Sequence, residues 1–151
     1  VVVAALLAIQ LALHPERQRE LTLIVVVAIL GTVVDSIKAA TGLLSYQEGY
    51  PGISWLCPLW ITAMWANFAT TVNGALSWLK GRYALAALLG GIAGPLNYLA
   101  GARMGAIDLN LNLVPTFLIL AVVWGIVIPF VFWIGERIEL GAQRMEVQAA
   151  G

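Results

Sequence analysis

Charged side chains are scarce in this sequence. Lys, Arg, Asp and Glu make up 11% of its 151 residues, where a soluble domain of ordinary composition carries about 25%. So few polar groups cannot cover a surface that faces water, and the 61% of residues that are hydrophobic call for a bilayer as solvent. The 8 basic residues are balanced by 8 acidic ones, so no basic face is left for nucleic acid. One cysteine, Cys57, makes an internal disulfide or a thiolate metal cluster impossible. One histidine, His14, in a charged stretch beside a helix end, argues against a haem- or chlorophyll-binding helix. No GxSxG, HExxH, P-loop or acidic metal motif occurs. No cofactor is expected.

What the chain has instead is apolar runs. A spanning helix needs about 20 mostly apolar residues, and five segments approach or reach that length: 1–13, 21–44, 54–79, 83–104 and 115–135. The first is too short as it stands, and the chain opens on Val1 inside an apolar run, so we expect it to be part of a longer helix. Between the runs lie a charged connection at 14–20, a polar turn at 45–53 with Gly49, Pro51 and Gly52 as breakers, a basic turn at Lys80-Gly81-Arg82, and a loop at 105–114. The expected fold is all-α: a polytopic transmembrane bundle of about five helices over 1–135, with a mixed-charge tail over 136–151, helical at first and then frayed.

Orientation follows from the basic residues. Arg17 and Arg19, Lys80 and Arg82, and Arg137 and Arg144 fall in three regions on one side, whereas 45–53 has no Lys or Arg. The positive-inside rule puts these regions, including the C-terminus, in the cytoplasm of a bacterial-type inner membrane. Trp55, Trp78, Tyr83 and Trp133 stand near the expected helix ends, as an interfacial belt requires.

The polar residues inside the runs are the candidate site. Asp35 and Lys38 lie within the second helix, where an isolated charge costs about 2.5–3.5 kcal/mol. At i and i+3 they share a face and can pair, on a stripe that also holds Gly31 and Gly42. That face should turn towards the bundle or a wet cavity. Either the pair fixes helix register, or it forms a substrate or proton site. The third helix carries Asn67, Thr70, Thr71 and Gly74 on one face, with Trp60, Trp78, Asn73 and Ser77 beside it. The plain reading is interhelical hydrogen-bond glue; the sharper one is a headgroup or small-solute site using Asn67 and Asn73.

In the fourth helix, Gly90 and Gly94, then Gly101 and Gly105, form GxxxG pairs that suit close helix packing, within the chain or between copies. Pro95 should kink this helix and free a carbonyl that Asn67 or Asn73 could satisfy. Asn97 and Tyr98 are its candidate binding residues, and Arg103 is placed to meet Glu48, Asp108 or a lipid phosphate, or simply to snorkel. The fifth helix is apolar all round apart from Thr116 and should be the most lipid-exposed of the five and the poorest candidate for chemistry. The full candidate cluster is Asp35, Lys38, Asn67, Thr71, Asn73, Asn97, Tyr98 and Arg103.

Three strings carry a resemblance: Pro58-Leu59-Trp60; the run from Asn67 to Leu79 that reads NFATTVNGALSWL; and the run from Gly94 to Ala106 that reads GPLNYLAGARMGA. With Gly31 to Asp35 they resemble the DUF2878 family of small bacterial membrane proteins, departing mildly at Gly74 and Ala75. The family carries no established activity. The resemblance implies a lipid-linked role, through the gene neighbourhood its members share with enzymes that modify unsaturated membrane fatty acids, cyclopropane-fatty-acid-synthase-like proteins among them.

Four functions are compatible with these residues. A lipid-handling or accessory protein would gather the polar cluster into a pocket among the second, third and fourth helices, with membrane lipids as partners. A small transporter or channel would need a continuous polar path, and oligomerisation through the glycine faces. A structural subunit would have stoichiometric partners in a membrane complex. An enzyme would use Asp35 as acid or base, tuned by Lys38, but lacks a nucleophile to go with it.

Overall fold

In a computed structural model, the structure describes residues 16–47 and 49–149. The segment at 1–13, His14 and Glu48 lie outside the described residues. Four α-helices and a two-stranded sheet make up the described chain: α1 (Arg17–Ala40), β1 (Leu44–Tyr46), α2 (Leu59–Val72), α3 (Tyr83–Arg103), β2 (Ile107–Leu109) and α4 (Leu113–Ala149). α1, α3 and α4 are long and apolar enough to cross a membrane. The expected count of about five helices thus becomes four among the described residues, three of them of spanning length.

The inside of the bundle is not marked by hydrophobicity. α1 exposes Val25, Ile29, Val33 and Ile37 and buries Glu20, Gly31, Asp35 and Lys38 along with Leu23, Ile24 and Val27. α3 exposes Leu88, Ile92 and Leu96 and buries Gly90, Gly94 and Tyr98. Apolar residues on every exposed flank would drive aggregation in water; in hydrocarbon they face their solvent. Polar and small residues turn inward, where they find hydrogen bonds and allow close approach. The architecture is that of a helical membrane protein.

Two helices end in the same way, at the same end of the molecule. After α1, Gly42 takes φ +71°, and the Leu43 N–H donates back to the Lys38 carbonyl at 3.0 Å. After α3, Gly105 takes φ +73°, and the Ala106 N–H donates back to the Gly101 carbonyl at 3.0 Å. Glycine enters this left-handed region without the Cβ penalty. Each chain then continues as a strand, and β1 and β2 pair antiparallel, with Ser45 opposite Asp108 and Tyr46 opposite Ile107. The segments at 45–53 and 105–114, expected to be turn and loop, therefore hold a small sheet: three residues are too few for a strand pattern to show in the sequence. The sheet aims Tyr46 back towards α1.

The expected helix over 54–79 is shorter than the run that suggested it. α2 covers Leu59–Val72, about 21 Å of helix, well under a hydrocarbon core of about 30 Å. Pro58 is its N-cap residue; beyond Val72 the chain passes through turns and a 3-10 segment at Ser77–Leu79. Apolar composition extended the expected helix past Asn73 and Gly74, which end it. α1 begins at Arg17, inside the stretch expected as a charged connection, and stops at Ala40, before the left-handed Gly42. α4 runs unbroken through Pro129 and Gly135 to Ala149, about 55 Å, where we expected fraying.

The helices alternate in direction. α1 packs on α2 and α3 packs on α4, and α4 joins the two pairs by touching α1; α2 and α3 barely meet. At one end of the bundle Asn73 donates to Glu20 at 3.0 Å, Lys80 pairs with Glu139, and the Gly81 N–H donates to Glu136 at 2.6 Å. Arg17, Arg19, Arg82 and Arg137 lie within a few residues of these contacts. The sheet closes the other end.

Candidate functional site

α1, α2, α3 and β1 converge on the carboxylate of Asp35, which is 1% exposed, and α4 backs the cluster with Trp124. Its Oδ1 accepts from the Lys38 ammonium at 2.6 Å, from the Tyr46 hydroxyl at 2.8 Å, and from the Tyr98 hydroxyl. Its Oδ2 accepts from the Trp65 indole N–H at 2.7 Å. The Lys38 ammonium also donates to the Tyr98 hydroxyl and stands 4.3 Å from the centre of the Tyr98 ring and 5.2 Å from that of Trp124. Trp124 lies flat on Trp65, their centres 4.9 Å apart and their planes 3° from parallel.

The reasons are local. i and i+3 on α1 bring Asp35 and Lys38 together. Gly31, one turn before Asp35, makes room for Trp65: a Cβ there would fall 2.0 Å from its ring. Gly94 does the same for Trp124 on α4, where a Cβ would fall 2.1 Å from the ring. A buried ion pair is costly unless its remaining lone pairs and protons are also satisfied, and here four donors share two oxygens. Burial first, then the Asp35 carboxylate beside it, push the Tyr46 phenol far above its ordinary range, so it remains a donor. Burial likewise pushes the Cys57 thiol up.

Beside the cluster, between α2 and α3, lies a cavity of about 350 Å³. One wall is Trp60, Ile61, Met64, Trp65 and Phe68 of α2. The other is a single face of α3 that runs from Gly90 through Gly94, Asn97 and Gly101 to Met104. Trp124 and Ile128 of α4 form the floor, and Ile107 closes one end. Met64, Ala93 and Asn97 line the space and are also exposed on the flank of the bundle, so it is a groove open to the side. Its lining is almost wholly apolar.

The sequence-derived candidates divide. Asp35, Lys38 and Tyr98 meet in one cluster, and Asn97 lines the groove beside it. Asn67 is exposed on α2 and does not line the groove. The Thr71 hydroxyl donates to the Phe68 carbonyl at 2.7 Å, within its own helix. Asn73 sits at the far end of the bundle with Glu20, and among the described residues neither asparagine hydrogen-bonds a carbonyl near Pro95, which lies within the continuous helix α3. Arg103 is exposed at the end of α3. Gly90 and Gly94 pack against Trp124 and Ile128 of α4 in the same chain.

Sequence reasoning missed Tyr46, Trp65 and Trp124. Trp65 and Trp124 carried a signal: each stands in the middle of an apolar run, away from the interfaces where tryptophan is usual, and a buried indole N–H seeks an acceptor. Tyr46 carried none, since only the β1–β2 pairing brings it to α1.

Comparison with curated proteins and with solved structures gives no match. The profile of one family, described as a protein of unknown function, does match, and it spans residues 1–130. With its glycine-spaced helices folded around Asp35, the chain belongs to the DUF2878 family.

Proposed function

We propose that this is a lipid-handling protein of the bacterial inner membrane, which draws an acyl chain sideways from the bilayer into the groove between α2 and α3. The observation that carries the reading is the groove itself: about 350 Å³, apolar, and open on the flank between α2 and the spanning helix α3. Ligand sites are concave, mostly apolar spaces of about this size. On such a flank the medium at the mouth is hydrocarbon, and an acyl chain is the solute at hand. The neighbouring ion pair acts as scaffold, tying α1, α2, α3 and β1 at the point where the groove needs rigid walls. Transport of an ion or polar solute is less well supported. Asp35 commits both oxygens to protein donors, and the space beside it is greasy.

The same reading places the C-terminus in the cytoplasm. Arg17, Arg19, Lys80, Arg82 and Arg137 stand at or near one end of the bundle, and the positive-inside rule assigns that end to the cytoplasmic side.

The test is saturable binding. Titrating an 18-carbon chain brominated at its centre into the purified protein should quench Trp60, Trp65 and Trp124 to a plateau. Ala93→Phe, which puts a ring into the groove, should leave only the non-saturating slope of partition into detergent. Equal saturation in wild type and variant would reject the reading.

A further inference from the structure

Resting on that reading, the lining of the groove says which part of a lipid sits where. Along α3 the groove extends from Gly90 to Met104, about 21 Å, somewhat more than one leaflet of a hydrocarbon core about 30 Å thick. Its two halves differ. From Gly90 to Gly94 the side walls are Gly90, Ala93 and Gly94 with Met64, Phe68 and Ile128, none of whose side chains can donate a hydrogen bond; Trp124 lies beneath them against Gly94, its indole N–H buried without a partner among the described residues. Nearer the sheet, Asn97 on α3 and Trp60 on α2 line the space, and neither side chain makes a hydrogen bond among the described residues. Trp60 belongs to this level because its ring meets that of Tyr46 on β1 edge-on, 6.1 Å between centres. Asp35 touches the groove too, but its oxygens are already engaged.

An amide and an indole N–H left open towards hydrocarbon are costly. Plain alkyl chains cannot relieve them. We infer that the groove takes an amphiphile by its acyl carbonyl, with the oxygen seated between Asn97 and Trp60 and the hydrocarbon running down towards Gly90 and Phe68. A free fatty acid and a phospholipid ester both present the same acceptor to the same two donors. The head of the lipid then emerges beside Met104, next to Arg103.

Three probes test this on the purified protein: 9,10-dibromostearic acid, a phosphatidylcholine with the same dibrominated chain, and 9,10-dibromooctadecane, which has no oxygen. Wild type should bind at least one oxygen-bearing probe about five-fold or more tightly than the hydrocarbon, as expected for one or two neutral hydrogen bonds. Asn97→Leu should bring the three together by weakening the oxygen-bearing probes alone, and Asn97→Gln should restore part of the difference. Asn97 is exposed and holds no other element, so these variants should fold. Saturation by the acid alone assigns the free fatty acid; saturation by both assigns the ester as sufficient. Equal affinity for all three probes in wild type, or an unchanged preference in Asn97→Leu, overturns the inference while leaving the groove as an acyl-chain site. Loss of saturable binding altogether in wild type overturns the functional reading beneath it.

Discussion

Trp65 lies directly over Gly31, where a Cβ would stand 2.0 Å from its ring carbons, and from that seat its indole N–H reaches Asp35 at 2.7 Å. The missing side chain on α1 and the hydrogen bond across to α2 are one arrangement.

Gly31→Ala should therefore be costly. The methyl group must displace a buried indole and break a hydrogen bond to a charged acceptor, together about 3 kcal/mol. Gly141→Ala is the control: nothing lies within 4 Å of a Cβ there, and replacing an exposed helical glycine should stabilise by about 0.5–1 kcal/mol. Thermal denaturation of both variants in the same detergent checks the pair, and equal midpoints would contradict the packing described.

The ion pair gives a second expectation. Lys38→Met leaves Asp35 as a buried charge without its counterion, and Asp35→Asn strands the ammonium; each should cost about 3–5 kcal/mol. The double variant removes both charges and should cost less than the sum of the two. A double-mutant cycle should return a coupling of about 1–3 kcal/mol. Additive losses would show that the two groups act independently.

The alkaline side of the stability profile should carry the mark of Tyr46. Its phenol is raised in the folded state by burial and by Asp35, whereas in the unfolded chain it ionises near pH 10. Above about pH 10 the unfolded state loses a proton that the folded state keeps, so stability falls as pH rises; below pH 10 it is unaffected by this group. Denaturation measured from pH 8 to 11 should show that decline, and Tyr46→Phe should make it shallower while lowering stability at pH 8.

Sidedness can be read with cysteines, because the native one is quiet. Cys57 is 2% exposed and its thiol is raised by burial, and the thiolate is the reactive form. In intact cells a membrane-impermeant maleimide should label Gly49→Cys readily and Gln143→Cys only after permeabilisation. The reverse pattern would invert the orientation.

The sequence made the helical membrane architecture legible because apolar runs of spanning length have few other uses. It also made Asp35, Lys38 and Tyr98 legible, since an ionisable group at membrane depth must find partners. The length of α2 was not legible: the chain stays apolar well past Val72, and hydropathy cannot tell a helix from turns of the same composition. Nor was the separation of Asn67 and Asn73 from the cluster, because helical spacing gives a face but not which neighbour covers it. The sheet was hidden for a different reason. Its two strands are 61 or more positions apart in the paired residues, Tyr46 with Ile107 and Leu44 with Leu109, and its cause lies in two glycine turns that read as ordinary helix stops. α4 shows the opposite error: its greasy exterior suggested a bystander, yet Trp124 provides the floor beneath the ammonium.

Because α2 and α3 scarcely touch, the molecule stands like a book held ajar, with α1 and α2 as one leaf, α3 and α4 as the other, and the α1–α4 seam as its spine. What fastens the leaves across the gap is aromatic: Trp65 of one lies flat on Trp124 of the other, and Trp65 and Tyr98 hold the same carboxylate from opposite sides of the opening.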